Sequence, residues 1–398
     1  MSSAAENRPT SPVSEPRTSR VSTRVAVSPA VLEWAIERSG KDRSALYQRF
    51  TRLSAWESGE AAPTLRQLED FAKATYVPVG YFFLSEPPVE EIPIPDLRTI
   101  DNKGVVRPSA NLLDTIYICQ RRQDWYREYA ISIGEEPLSF IGSANINRPV
   151  VETAIKIRRD LNLDTDKWRN NPNWEASLRT FIAQVEDVGI MVMVNGVVGN
   201  NTHRRLEPRE FRGFALCDDF APLVFINNTD AKAAQMFTLA HELVHLWHGE
   251  SALSDASPTP ISSRHIEQWC NSVAAELLLP LEELEQILPP GNPLDAVSNI
   301  RRRFKVSSPV ILRRLYDASL LSDEEFEQAY EQEQQQWQSQ QGNGGNFYPT
   351  LMTRVGRRFA QAVVRDALAG ETLYRDACGL LGIRKMATFN ELRERLRE

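Results

Sequence analysis

The chain has 398 residues, of which 42% are hydrophobic and 25% charged, and its formal net charge is −7. These values are typical of a globular protein of two or three domains, and no apolar run approaches the roughly 20 residues of a membrane-spanning helix. The four cysteines are scattered and form no CxxC pair, which argues against a disulfide framework. We therefore expect a cytoplasmic protein with no membrane contact, and the acidic total disfavours a chain-wide nucleic-acid surface.

Composition and apolar periodicity predict an α+β, mostly helical fold in six segments. These are a disordered leader (1–23), a domain of short helices (24–85), a Pro-rich linker (86–107), a mixed domain with a short sheet (108–292), a helical region (293–340) and a small C-terminal helical segment (341–398).

Short helices are predicted between residues 28 and 75. Ser28 stands at the N-cap position of the first helix, which Gly40 ends. Pro63 and Thr64 open the last helix of this group.

The mixed domain is predicted to begin with a long helix from about 108 to 135. Asp230 is predicted to cap a later helix, KAAQMFTLAHELVHLWH, which Gly249 ends. The other predicted elements are helices near 149–161, 173–187 and 263–279, a strand within GIMVMVNGVV, and a strand pair over 211–217 and 221–227.

The strongest chemical motif is the HExxH run that begins at His241. His241 and His245 are four residues apart, so on a helix both imidazoles face the same side and can reach one metal ion. Glu242 lies one position round the helix, where a general base can deprotonate a metal-activated water. The pattern predicts a catalytic zinc site.

Two histidines leave such a zinc ion without its third protein ligand. His248 lies roughly 10 Å along the same helix from His241, too far for it to join the other two. The ligand must come from another element, and the helix at 263–279 offers His265, Glu267 and Glu276.

Glu267 is the preferred ligand because it shares a helix face with Asn271, which would hold the metal-binding ring of His241 in its orientation. Glu276 lies about half a turn away and is predicted to brace the packing of this helix. Glu276 nevertheless stays open as the rival ligand.

The segments FTLAHELVHLWHG and EQWCNSVAAELLLP resemble the ImmA/IrrE family of metallo-endopeptidases, over about residues 180–290. The resemblance implies a small zincin-like domain whose third zinc ligand is a glutamate, which maps to Glu267. It also implies a regulatory protease that cuts a repressor or antitoxin-like partner. One departure is Asn271, at a position where related zinc peptidases can carry Asp. The extended segment FRGFALC is predicted to hold substrate as an added β-strand.

Residues 28–75 resemble the XRE-type helix-turn-helix, a DNA-binding module that precedes this peptidase domain in the family. The segment between Leu46 and Trp56 leaves little room for a full recognition helix, and residues 24–73 carry a net charge of only +1. DNA contacts here would fall to Arg49, Arg52 and Arg66. The alternative is a helical module that docks a protein partner.

A second helix-turn-helix is predicted over 294–316, with positive side chains and no negative ones across its two helices. The charged residues are Arg301, Arg302, Arg303, Lys305, Arg313 and Arg314. The alternative is a helical hairpin packed on the peptidase.

Two functions of different classes follow. The first is a zinc metallo-endopeptidase that cleaves a regulatory protein. The second is a DNA-binding transcription regulator or antitoxin whose peptidase-like domain acts as a sensor or scaffold. An intact Glu242 favours the enzyme, because a scaffold needs no base. The substrate, the activating signal and the oligomeric state stay open.

Overall fold

The computed structural model describes residues 23–97, 108–254, 265–337 and 347–396. The predicted leader lies outside the described residues except for its last position, as do the second half of the predicted linker and the glycine-rich segment 342–346. The chain divides into two compact units, Met1–Glu90 and Glu91–Glu398.

The first unit is a group of short helices with an apolar core. The helices are α1 (Pro29–Ser39), α2 (Arg43–Arg49), α3 (Leu53–Glu57), α4 (Leu65–Thr75) and a 3-10 turn over Val79–Phe83. Gly40 ends α1 in the left-handed conformation, as predicted, and Ser28 is its N-cap residue but makes no side-chain capping bond. Thr64 and Gln67 form a capping box that fixes the start of α4.

The second unit is mostly helical around a small sheet. Its helices before the sheet are α5 (Ala110–Ser132), α6 (Val150–Asp160), α7 (Thr165–Arg169) and α8 (Trp174–Asp187). Those after it are α9 (Lys232–His248), α10 (His265–Leu278), α11 (Leu281–Ile287), α12 (Val297–Phe304), α13 (Ser308–Asp317), α14 (Asp323–Trp337), α15 (Phe347–Val355), α16 (Arg357–Ala369), α17 (Tyr374–Leu381) and α18 (Met386–Arg395). Among the described residues, no helix is both long and apolar enough to cross a membrane.

Four strands form one sheet in the order β1-β5-β4-β6, and a separate hairpin pairs β2 with β3. The strands are β1 (Met191–Asn195), β2 (Val197–Val198), β3 (Asn201–Arg205), β4 (Gly213–Leu216), β5 (Leu223–Asn227) and β6 (Ala252–Ser254). β1 runs parallel to β5, and β4 runs antiparallel to both β5 and β6. β4 and β5 are the predicted strand pair.

Helices cover both faces of this sheet, which explains why its strands are continuous apolar runs. Val192 and Val224 face a core shared with α8, α9 and α10, whereas Met193 and Phe225 face a second core shared with α5 and α16. The small C-terminal segment is therefore part of the sheet's second core.

The start of α9 differs from the prediction by one residue. The N-cap position belongs to Ala231, and Asp230 instead accepts a hydrogen bond from the Ala231 N–H. Gly249 ends the helix in the left-handed conformation, as predicted.

Candidate metal centre

Helix α9 carries the HExxH motif through the centre of the second unit. It is buried on every side from Ala234 to Trp247, because apolar residues surround the motif and pack on the sheet and on α10. His241, Glu242 and His245 are all 0% exposed. Three buried polar side chains need partners from neighbouring elements, because an unpaired buried polar group is energetically costly.

Glu267, in the first turn of α10, completes a triangle of donor atoms with the two histidines. The Nε2 atoms of His241 and His245 lie 3.1 Å apart. The Glu267 carboxylate oxygens lie 3.4 Å from His241 Nε2 and 3.2 Å from His245 Nε2. Tetrahedral bonds of about 2.0–2.1 Å place zinc ligand atoms about 3.3 Å apart, so this donor set fits a zinc ion.

The charges of the triangle depend on one another. Burial by itself would raise the pKa of Glu267, but His241 and His245 hold that pKa well below its usual value. Burial lowers the pKa of His241, but Glu267 outweighs this effect and the net pKa is raised. Burial dominates at His245, whose pKa is lowered. An ionised carboxylate beside a neutral imidazole is what a metal requires of its ligands.

Glu242 points its carboxylate towards β6. Its Oε1 accepts a hydrogen bond from the Ser254 hydroxyl, and its Oε2 is buried with no hydrogen-bond partner among the described residues. Burial raises the pKa of Glu242 to about 8, against the opposing effects of His241 and Ser254. One oxygen is thus held in place and the other is available for a proton.

Asn271, predicted to orient His241, lies on α10 and is 4% exposed. However, Asn271 Oδ1 and His241 Nδ1 both lack a hydrogen-bond partner among the described residues. The orienting bond from Asn271 to His241 stays a prediction.

Two neighbours of the site were not predicted. The Cys270 sulfur lies 3.9 Å from His245 Nδ1, and the Ser254 hydroxyl bonds Glu242. Cys270 follows Glu267 by three residues, so its position on the same helix face could have been read from the sequence. Ser254 belongs to a three-residue strand, too short to leave a periodic pattern.

The rejected and rival ligands lie away from the triangle. Glu276 forms an ion pair with Arg314 and accepts a hydrogen bond from the Leu281 N–H. His248 lies 3.7 Å from Glu250, near the end of α9. Among the described residues, the only group of three or more His, Cys, Asp or Glu side chains with metal-binding spacing is His241, His245 and Glu267.

The FRGFALC segment cannot accept a substrate strand as predicted. It forms β4, which is hydrogen-bonded to β5 on one side and to β6 on the other. A central strand has no free backbone groups for a further partner. The sheet edge beside Glu242 is β6.

The basic residues predicted for DNA or partner contacts lie in both units. Arg49, Arg52 and Arg66 are exposed in the first unit. The helix that follows the predicted turn, α3, has only five residues, which is short for a recognition helix.

In the second unit, Arg301, Arg302 and Arg303 are exposed and Lys305 is half-buried. For Arg313 and Arg314, the structure agrees with the alternative prediction, a helical hairpin packed on the rest of the unit.

Arg313 and Arg314 are 5% and 2% exposed and face α10. Arg313 donates to the Ser272 hydroxyl, and Arg314 pairs with Glu276. These two charges hold the hairpin on the rest of the unit and are not available to DNA.

Comparison with known protein families finds two partial matches to this chain. A family model described as the IrrE N-terminal-like domain, Peptidase_M78, matches residues 185–316, about a third of the chain. The match includes the site and the hairpin of α12 and α13. A model of a domain of unknown function, DUF8813, matches residues 355–395. No curated protein and no solved structure matches the chain. The Peptidase_M78 match suggests a metallopeptidase.

Proposed function

We propose that the chain is a zinc-dependent endopeptidase that cleaves a regulatory protein partner, a repressor or an antitoxin-like protein. The observation that carries this proposal is the buried triangle of His241, His245 and Glu267, with Glu242 beside it. The family match to a peptidase domain supports the same reaction class.

His241 and His245 would hold the zinc ion through their Nε2 atoms, and Glu267 through its carboxylate. When bound there, zinc supplies Lewis acidity, which activates a water molecule and polarises a peptide carbonyl. Glu242 would shift towards the ionised form that a base needs, because a nearby cation favours the charged form of a carboxyl group.

Glu242 would act as the general base through its Oε2 atom. Ser254 holds the Oε1 atom by a hydrogen bond, so the carboxylate keeps one orientation while Oε2 accepts a proton from the attacking water. Oε2 then delivers that proton to the leaving amine. Burial of the site excludes bulk water, which strengthens these electrostatic interactions.

A regulatory partner is proposed because the peptidase region shares its chain with a separate unit of short helices. That unit would bind the partner or DNA through Arg49, Arg52 and Arg66, which are exposed. Four free cysteines, two of them buried, support a reducing compartment such as the cytoplasm.

The test is co-expression with the product of the neighbouring gene, with Glu242→Gln as the key variant. We expect the partner to disappear with the parent and to persist with Glu242→Gln, while zinc content stays the same in both. Glu250→Gln is the matched control, because Glu250 is an exposed glutamate just after α9 and the variant should behave like the parent. Equal loss of the partner with Glu242→Gln would overturn the proposal.

The exposed run of Arg301, Arg302 and Arg303 supports the second candidate, a DNA-binding regulator. If the partner survives with every variant, a gel shift over a salt series tests this reading. DNA binding that weakens steeply with salt and is lost on changing the three arginines to alanine would favour the regulator.

A further inference from the structure

The sheet has two outer strands, β1 and β6, and only β6 reaches the proposed base. Ser254, at the end of β6, donates a hydrogen bond to Glu242. Ser254 is also paired with Gly213 of β4, so the backbone N–H and C=O groups of Ser254 point towards β4. Leu253, one residue earlier, directs its N–H and C=O the other way, to the outer side of the sheet. A chain paired with Leu253 therefore lies one residue from the contact that holds the base.

In this structure the chain's own linker occupies that position. The Leu253 N–H donates to the Pro95 carbonyl at 2.9 Å, and the Leu97 N–H donates to the Leu253 carbonyl at 2.8 Å. Asp96 lies opposite Leu253 in a parallel bridge. We call residues 95–97 the linker strand. It uses both outward backbone groups of Leu253, so no second strand can pair there at the same time.

The linker strand pairs with β6 over a short length, as a removable segment would. Its apolar anchor is Ile94, which is 8% exposed and packs in the second core of the sheet. Pro95 has no N–H, so it cannot add a donor to the ladder at that end. Among the described residues, the linker strand pairs with β6 only through the bridge at Leu253, whereas an internal strand such as β5 is paired along its whole length.

We propose that the outer edge of β6 is the docking surface for an extended stretch of protein substrate, and that the linker strand fills it as an internal competitor. This inference rests on the proposed peptidase function, because that function identifies the chain that competes with the linker strand as a protein substrate. The substrate recognised here is an unfolded or flexible protein segment, because pairing with Leu253 requires an extended backbone. The peptidase would then be idle until the linker strand leaves.

The test compares the full-length parent with a released variant that carries Ile94→Asp and Leu97→Pro. The first change places a charge where a buried apolar side chain packed, and the second removes the donor to Leu253. The matched control carries Val89→Asp and Glu91→Pro, since Val89 is 87% exposed and neither residue makes a backbone hydrogen bond to β6 in the described part of the chain. All three chains are loaded with zinc.

Three measurements are made on each chain. Hydrogen exchange reports the Leu253 amide, with the paired amides of β5 as a check that the sheet is intact. Fluorescence anisotropy reports binding of a labelled peptide with the sequence of residues 90–97. Cleavage of labelled, unfolded casein reports peptidase activity. For the released variant alone we expect about ten-fold faster exchange at Leu253, peptide binding, and about ten-fold faster casein cleavage.

The outcomes separate the two proposals. If the released variant binds the peptide but no chain cleaves casein or the partner, the docking surface stands and the peptidase function fails. If the parent cleaves its partner and the released variant neither binds the peptide nor cleaves faster than the control, the inference is overturned. Unchanged exchange at Leu253 with an intact sheet would also overturn it, because the linker strand would not then protect that edge.

Discussion

At the scale of single residues, the site is defined by polar atoms that the fold buries without giving them enough partners. Glu267 Oε1, Glu242 Oε2 and His241 Nδ1 lack hydrogen bonds among the described residues. A buried polar group left unpaired costs on the order of 1–3 kcal/mol. Of these atoms, Glu267 Oε1 lies 3.2 Å from His245 Nε2, within the triangle of metal donors, so a bound cation would offset its cost. We therefore expect zinc binding to contribute to the stability of the second unit.

This argument separates Glu267 from Glu276 as the third ligand. Glu267→Ala should lower zinc affinity by at least about ten-fold, because it leaves two histidines to hold the ion. Glu276→Gln should retain zinc, since Glu276 contacts Arg314 and not the triangle. Zinc per chain after dialysis against a weak chelator, measured by atomic emission, checks both variants.

A thermal melt is a second measurement that tests the same prediction. Added zinc should raise the melting temperature of the parent and of Glu276→Gln, but not that of Glu267→Ala. Zinc retention by Glu267→Ala together with zinc loss by Glu276→Gln would reverse the ligand assignment.

At the scale of elements, the hairpin of α12 and α13 is attached through a buried cation. Arg314 pairs with Glu276 on α10 and with Asp317, and it also donates to the Leu279 carbonyl. Burial lowers its pKa, although Glu276 and Asp317 oppose this effect. Removing one partner of a buried pair leaves the other charge uncompensated, which costs more than the pair itself contributes.

Arg314→Ala should therefore lower the free energy of unfolding by about 3–5 kcal/mol. Arg302→Ala is the matched control, because this arginine is exposed on the same hairpin and surface changes are usually within about 0.5 kcal/mol. Urea denaturation followed by circular dichroism measures both. Equal stability of the two variants would show that α13 does not depend on the contact with α10.

Some of these elements could be predicted from the sequence alone, and others could not. Helix α9 was predictable because its apolar residues flank the motif at helical spacing and Gly249 ends it. Glu276 was predicted to brace the packing of its helix, but its pairing with Arg314 was not predictable, because the two residues are far apart in the sequence and lie on different helices. Strand β6 was not predictable either, since three residues carry no period. The contact from Ser254 to Glu242 and the linker strand depend on it.

At the scale of the whole second unit, the sheet depends on helices from both ends of that unit. Helix α5 precedes the sheet in the sequence, whereas α16 begins more than a hundred residues after the end of β6. Both helices pack in the second core. Gly356, between α15 and α16, has a φ of +80°, and a Cβ there would lie 2.8 Å from the Val192 carbonyl oxygen of β1. The domain matched by DUF8813 is thus in close contact with the sheet that supports the proposed metal site.

A buried carboxyl group at this contact makes its stability depend on pH. Glu186, at the end of α8, accepts a hydrogen bond from the Arg358 N–H of α16. Burial raises its pKa from 4.5 to about 7, although backbone N–H groups of Arg358 and Arg357 oppose the rise. The folded state therefore holds this proton more tightly than the unfolded state does.

The sign of the effect follows from that difference. The contribution of Glu186 is most favourable below pH 4.5, is lost as the pH rises from about 4.5 to about 7, and is absent above that range. Urea denaturation at pH 5 and pH 8 should show a larger fall in unfolding free energy for the parent than for Glu186→Gln. The variant keeps an oxygen for the Arg358 N–H but cannot ionise, and the other titrating groups are common to both proteins. Equal falls for the two proteins would mean that Glu186 is ionised in the folded state at both pH values, and that its burial does not govern the docking of α16.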